Sequence, residues 1–139
     1  YKSYKTETFE NFSLQWCHIK SQLSPYKKSR SNQKAFYFTL FPNILLNIAP
    51  ERLQTNIIEP IDALSCNVHF DYYFLDIEPN QISKDINLSE KIQNEDIDIC
   101  QRLQAGLESN GFDSGILSTE YEIGVSHFQN YIESKVNNG

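Results

Sequence analysis

The sequence predicts an α+β domain, an antiparallel sheet followed by C-terminal helices packed on one of its faces. Three observations carry this. The middle of the chain is a series of short aromatic and β-branched runs at residues 35–40, 43–48, 53–58 and 65–75. Their connections are short, which suits an antiparallel meander rather than parallel crossovers. After Glu78-Pro79-Asn80 the apolar residues recur at helical spacing instead.

Taken in order, residues 1–34 read as an irregular lead-in, polar and spotted with aromatics, ahead of a domain body at 35–139. Ser24-Pro25 is a turn signal, and the basic cluster from Lys27 to Lys34 is most simply a solvated loop. Phe41-Pro42 breaks the first two runs, Pro50-Glu51 offers the next turn, and Pro60 and Asp62 fall in the third connection. In the fourth run Val68, Phe70, Tyr72 and Phe74 share one face and Asn67, His69, Asp71 and Tyr73 the other, so one face suits a pocket or core. Residues 80–90 form a polar connection. A helix then runs from about Ile92 to Ser109 and stops at Asn110-Gly111. A second helix starts near Thr119, whose side chain with Glu122 matches a capping box. Its buried stripe is Tyr121, Val125, Phe128, Ile132 and Val136, with Gly124 weakening it locally.

A net charge of −6 and a pI near 5.0 argue against nucleic acid as a partner, because phosphate binding is built on a basic footprint. No apolar run approaches the roughly 18 residues that span a bilayer, and no signal peptide is visible. Cys17, Cys66 and Cys100 show neither zinc nor disulfide spacing and fit a reduced, cytoplasmic setting, with Cys100 read as a small core residue. The chain begins with Tyr1 and contains no Met, and so reads as a piece of something longer.

One acid stands out. Ile92, Ile99, Cys100, Leu103 and Leu107 fall on one face of the first helix, and Asp96 lies at the centre of that stripe. A carboxylate facing a core costs several kcal/mol unless a cation or a set of donors replaces its water. Glu95 and Asp98 point to the flank and the opposite side and can stay wet. Asp96 is therefore either an acid favoured by a helix N-terminus or a metal ligand on a rigid mount.

The surrounding text decides between them. Gln93-Asn94-Glu95-Asp96, then Cys100, Gln104-Ala105-Gly106-Leu107-Glu108-Ser109, Gly115-Ile116-Leu117-Ser118 and His127-Phe128 resembles the C-terminal catalytic region of the alpha subunit of Rieske non-haem iron ring-hydroxylating oxygenases. It is similar above all to the branch acting on choline, carnitine and glycine betaine. Leu40-Phe41-Pro42-Asn43-Ile44 matches a Phe-Pro-Asn segment of the same domain. The separated blocks span about residues 35–136 in the right order.

The resemblance implies a partial helix-grip catalytic domain, of the START/Bet v 1-like kind, in which a curved sheet and a long helix enclose iron and substrate. It implies that Asp96 is the carboxylate of a two-histidine, one-carboxylate Fe(II) site. Three protein ligands on one face leave the opposite face open for oxygen. Electrons would come from NAD(P)H through a reductase and a Rieske 2Fe-2S cluster in a missing N-terminal domain, within a homotrimer. The product would be an aromatic or quaternary ammonium compound hydroxylated by O2.

The two histidines of the family follow a Glu-Asn-aromatic segment and lie five residues apart. Glu10-Asn11-Phe12 with Cys17-His18 is offset by one residue and lacks a second His, so both iron histidines are expected before Tyr1. His69 reads as a structural or surface residue, His127 as part of the packing around Phe128, and Glu95 as a residue beside the ligand. The eighteen aromatic residues invite an aromatic cage for a quaternary ammonium, although aromatics on strands are usually core, and no cage residue can be named. The rival of another class is a non-enzymatic helix-grip carrier of small ligands, with Asp96 merely capped or salt-bridged.

Overall fold

The computed structural model describes residues 4–19, 33–75, 78–109, 111 and 114–137. Six strands are joined in chain order into one open antiparallel sheet: β1 (Tyr4–Phe9), β2 (Phe12–His18), β3 (Lys34–Leu40), β4 (Ile44–Ala49), β5 (Arg52–Pro60) and β6 (Cys66–Phe74). Two helices follow, α1 (Pro79–Glu108) and α2 (Ile123–Asn137). The chain divides into two compact units, one holding the sheet and α2, the other spanning residues 76–116 and holding α1.

The meander and the last four strands stand where the aromatic and β-branched runs predict them, within a residue or two. The lead-in does not stay irregular, because β1 and β2 lie within residues 1–34. Phe9 and Phe12 close their hairpin, with rings stacked at 4.3 Å between centroids. The Ser24-Pro25 turn and the cluster as far as Asn32 lie outside the described residues.

The register assigns a side to every residue. Ser13, Thr39, Leu45, Asn56 and Phe70 pair in a row across the sheet, and Cys17 pairs with Ala35. Since side chains alternate, Ser13, Cys17, Ala35, Gln54 and Asn56 share one face. These five are the buried residues of the sheet. The covered face is thus largely polar, and Gln54 Nε2 donates a 2.8 Å hydrogen bond to Asn56 Oδ1 within it. The opposite face carries Phe12, Leu14, Phe36, Phe38, Leu46 and Ile48, each keeping part of its surface exposed. Trp16 on that face donates from Nε1 to Glu7 Oε1 at 2.9 Å, with Lys34 Nζ 4.0 Å and Lys5 Nζ 5.1 Å from its ring centroid.

α2 lies against β1 and β2. The expected stripe is mostly exposed, with Tyr121, Val125, Ile132 and Val136 all open to solvent. Gly124, Ser126, His127, Phe128 and Tyr131 are the partly covered positions, and Gly124, His127 and Tyr131 each stand one residue before a position of the expected stripe. At Gly124 an added Cβ would meet Thr6 Cγ2 at 3.7 Å and Ser13 Oγ at 3.8 Å, ordinary contact distances, so the first turn lies against β1 and β2 without requiring a glycine. The cap also differs from the expected one. Ser118 Oγ accepts from Tyr121 N at 3.2 Å, and Glu122 Oε2 accepts from Ser118 N at 2.7 Å, so Ser118 rather than Thr119 does the capping.

The Phe41 ring, in the β3–β4 turn, meets His127, Phe128 and Tyr131 at centroid distances of 5.0, 5.3 and 4.8 Å. Replacing Phe41 by Leu keeps apolar bulk but removes three ring contacts, so Phe41→Leu is expected to cost about 1 kcal/mol, read as a lowered denaturation midpoint.

α1 is longer than the sequence suggests. Pro79 occupies its first turn, where the missing N–H costs nothing, and the helix continues without break through residues 80–90. Ile82, Asp85, Ile86 and Ser89 are its shielded positions, so the pattern there mixes polar and apolar residues and hides the helical period. At the other end Ser109 closes the helix, its Oγ donating to Gly106 O at 2.7 Å. Among the described residues no glycine adopts a positive φ there, and Asn110 lies outside them.

Candidate functional site

Asp96 sits near the middle of α1, about 26 Å along the helix axis from Pro79 at 1.5 Å per residue. It is exposed, and so is the stripe around it, with Ile92, Ile99, Leu103 and Leu107 open by 48 to 62%. The expectation that this stripe forms a core face is therefore not met within the described residues, and Cys100 is likewise exposed rather than core. A sequence stripe reports which side of a helix is apolar, not whether its covering layer belongs to the same stretch of chain.

The three neighbouring acids differ in their partners. Asp98 is tied to Arg102 by a 2.6 Å ion pair one helical turn on. Asp96 and Glu95 have no such pair among the described residues. Asp96 is thus an accessible carboxylate with no competing cation among the described residues, and a single oxygen ligand of a metal needs no more than that. No group of three or more His, Cys, Asp or Glu residues is placed to hold a metal among the described residues. Asp96 fits one ligand of an iron, and the remaining ligands are not supplied by those residues.

The histidines are dispersed. His18, exposed at the end of β2, stands edge-on to Trp16 at 5.8 Å. His69 pairs with Glu59 at 2.8 Å on the exposed part of β5 and β6, in keeping with a surface role. His127 belongs to the Phe41 cluster, as expected from packing around Phe128, and its Nδ1 is buried without a hydrogen-bond partner among the described residues.

Sequence reasoning missed a cavity of about 430 Å³ between the sheet and the start of α2. Tyr37 from β3, Tyr121 and Glu122 just before α2, and Phe128 on α2 are among the residues that line it, together with polar residues of four strands. Its lining is gathered from five elements and the short segment before α2, so no local spacing announces it. The one available signal, Glu122 three residues after Thr119, reads as a capping box.

On the same face Tyr4, Cys17 and Tyr37 cluster, the two phenol rings 6.2 Å apart. Burial, then the neighbouring Tyr37 and Cys17, pushes Tyr4 up to about 12 from 10.0. Burial and Cys17 also push Tyr37 up. A raised folded-state value means the folded chain keeps its proton longer than the unfolded chain does. This contribution to stability is complete below about pH 10 and disappears as the pH rises through 12. The thermal midpoint is expected to fall between these values, and Tyr4→Phe to make that fall shallower in a pH series.

The open antiparallel sheet and its helices define an α+β protein. Residues 14–138 match the family described as ring hydroxylating alpha subunit (catalytic domain), and the chain belongs to that family. It is 31% identical over 117 residues to a chloroplastic choline monooxygenase of Arabidopsis thaliana, covering 82% of this chain and 28% of that protein. It is 29% identical over 140 residues to the carnitine monooxygenase oxygenase subunit of Acinetobacter baumannii, covering 90% of this chain and 37% of that protein. The solved structure of a quaternary ammonium Rieske monooxygenase shares the fold, with a TM-score of 0.80 at 22% identity over 95% of this chain and 39% of the other. The chain therefore spans about three to four tenths of the length of these relatives. No helix among the described residues is long and apolar enough to cross a membrane.

Proposed function

We propose that the chain is the C-terminal part of a Rieske-type non-haem iron oxygenase alpha subunit that hydroxylates a quaternary ammonium substrate with O2. The observation that carries this is Asp96, an accessible carboxylate with no ion pair among the described residues, centred on an apolar helix stripe. Its place in the Gln-x-Glu-Asp run of the resemblance supports the same assignment. The relatives named for choline and carnitine support the substrate class.

In this reading Asp96 supplies the one carboxylate of the Fe(II) site, and two histidines from outside the described residues complete it. The bound iron supplies oxygen activation, with electrons arriving from NAD(P)H through a reductase and a Rieske 2Fe-2S cluster, in a trimer. The chain's own share is positional. α1 holds the carboxylate on a rigid element, while the single negative charge favours retention of a ferrous ion. The apolar residues flanking Asp96 would exclude water once covered. The three free cysteines suit a reducing compartment such as the cytoplasm. Metal analysis of the complete alpha subunit carrying Asp96→Ala tests the assignment: loss of iron supports it, and iron at the wild-type level refutes it.

A further inference from the structure

The polar face of the sheet holds a group of oxidisable side chains that the iron chemistry leaves unused. Tyr4 of β1 stands opposite Cys17 of β2, and Cys17 stands opposite Ala35 of β3. Tyr37 lies two residues beyond Ala35 and so faces the same way. Cys17 and Ala35 are small and buried, at 8% and 6% exposure. The Tyr4 ring reaches Tyr37 across β2, with centroids 6.2 Å apart and planes at 46°. Among the described residues this is the only ring contact between two tyrosines. Both phenols keep more than a third of their surface open, so an oxidant and water reach them.

Three features decide where an oxidising equivalent comes to rest here. Trp16, the competing ring on the other face of β2, has Lys34 Nζ 4.0 Å and Lys5 Nζ 5.1 Å from its centroid. Taking an electron from Trp16 places positive charge beside two ammonium groups, and their repulsion opposes it. Cys17 is buried and free, with no thiol joined to it, so neither a sulfenic acid nor a disulfide is the easy product there. Tyr4 and Tyr37, by contrast, each have a like partner in ring contact. Burial, then Tyr37 and Cys17, pushes Tyr4 up to about 12, so at neutral pH its oxidation removes an electron and a proton together.

We propose that Tyr4 and Tyr37 form a modification site, a phenol pair that a one-electron oxidant converts to an intramolecular dityrosine. Each phenol gives one electron to the oxidant and one proton to water, so two equivalents of oxidant are reduced. The two phenoxyl radicals couple through their ortho carbons. The ring hydrogens at the new bond move to the oxygens, and the product has two hydrogens fewer than the pair. The link ties β1, an edge strand of the described sheet, to β3 across β2. It depends neither on Asp96 as an iron ligand nor on the substrate.

Brief irradiation of the complete alpha subunit with ruthenium tris(bipyridine) and persulfate, which generates ruthenium(III) as the oxidant, tests it. Peptide mapping by mass spectrometry reads the products. The peptides of Tyr4 and Tyr37 are expected joined with loss of two hydrogens, at least about tenfold above any other tyrosine pair and in a yield that dilution does not change. Tyr4→Phe and Tyr37→Phe are each expected to abolish the link, while Tyr73→Phe, at an exposed ring, leaves it unchanged. Lys34→Gln uncovers Trp16 and alters neither phenol, and it keeps the test decisive if a phenylalanine variant does not fold. It is expected to lower the yield about twofold as oxidation products of Trp16 rise. A link spread evenly among the tyrosines, a thioether of Cys17 in its place, a yield that survives Tyr4→Phe, or one that does not fall in Lys34→Gln overturns the proposal.

Discussion

Asp96→Ala in the complete alpha subunit is expected to lower iron affinity by at least about a hundredfold and to abolish turnover, while Asp98→Ala leaves both near the wild-type level. The magnitude follows from the role: residues that merely orient metal ligands already cost 10- to 100-fold in affinity when changed, and a ligand costs more. The comparison is informative because neither change should disturb the fold. Asp96 is exposed and has no ion pair among the described residues. Asp98 loses only an exposed pair with Arg102, worth about 0.3–0.5 kcal/mol. Metal analysis and thermal midpoints of the two variants therefore separate ligation from stability. Iron lost from Asp96→Ala at an unchanged midpoint is the expected result, and equal iron in both variants would remove Asp96 from the site.

The largest effect on stability is expected at Gln54. It is 1% exposed on the covered face of the sheet and donates to Asn56 Oδ1, itself on a buried residue. Gln54→Ala leaves a void where the side chain packed and removes a donor from a buried amide oxygen. Together these cost about 3 kcal/mol. A urea titration should show a midpoint shifted downward with little change in slope. An unchanged midpoint would mean that the polar layer beneath the sheet contributes little to folding.

How far the sequence discloses this molecule depends on which side chains face inward. β3 to β6 are legible because Phe36, Phe38, Leu46 and Phe70 mark out alternating runs between evident turns. β1 and β2 are not, because the side of them that is covered carries Thr6, Ser13 and Gln15, and a polar inner face makes a strand look like a loop. The first turns of α1 escape notice for the same reason, since Asp85 and Ser89 are its buried residues. The position of Asp96 on its helix is legible from spacing alone. Its exposure is not, because the partner surface for the stripe is absent from the described residues. Glu122 belongs to a cavity that only tertiary pairing assembles, so single-sequence reasoning reaches its helix cap and no further.

The inverted dressing of the sheet has a practical outcome. With amides beneath and the half-covered phenylalanine rings of β2 and β3 on the outer side, this layer leaves part of an apolar surface uncovered by the described residues. Prepared without a companion layer, such a slab would stick to its own copies at modest concentration. Detergent or a fused neighbouring segment, rather than a change of temperature, is the remedy its chemistry recommends.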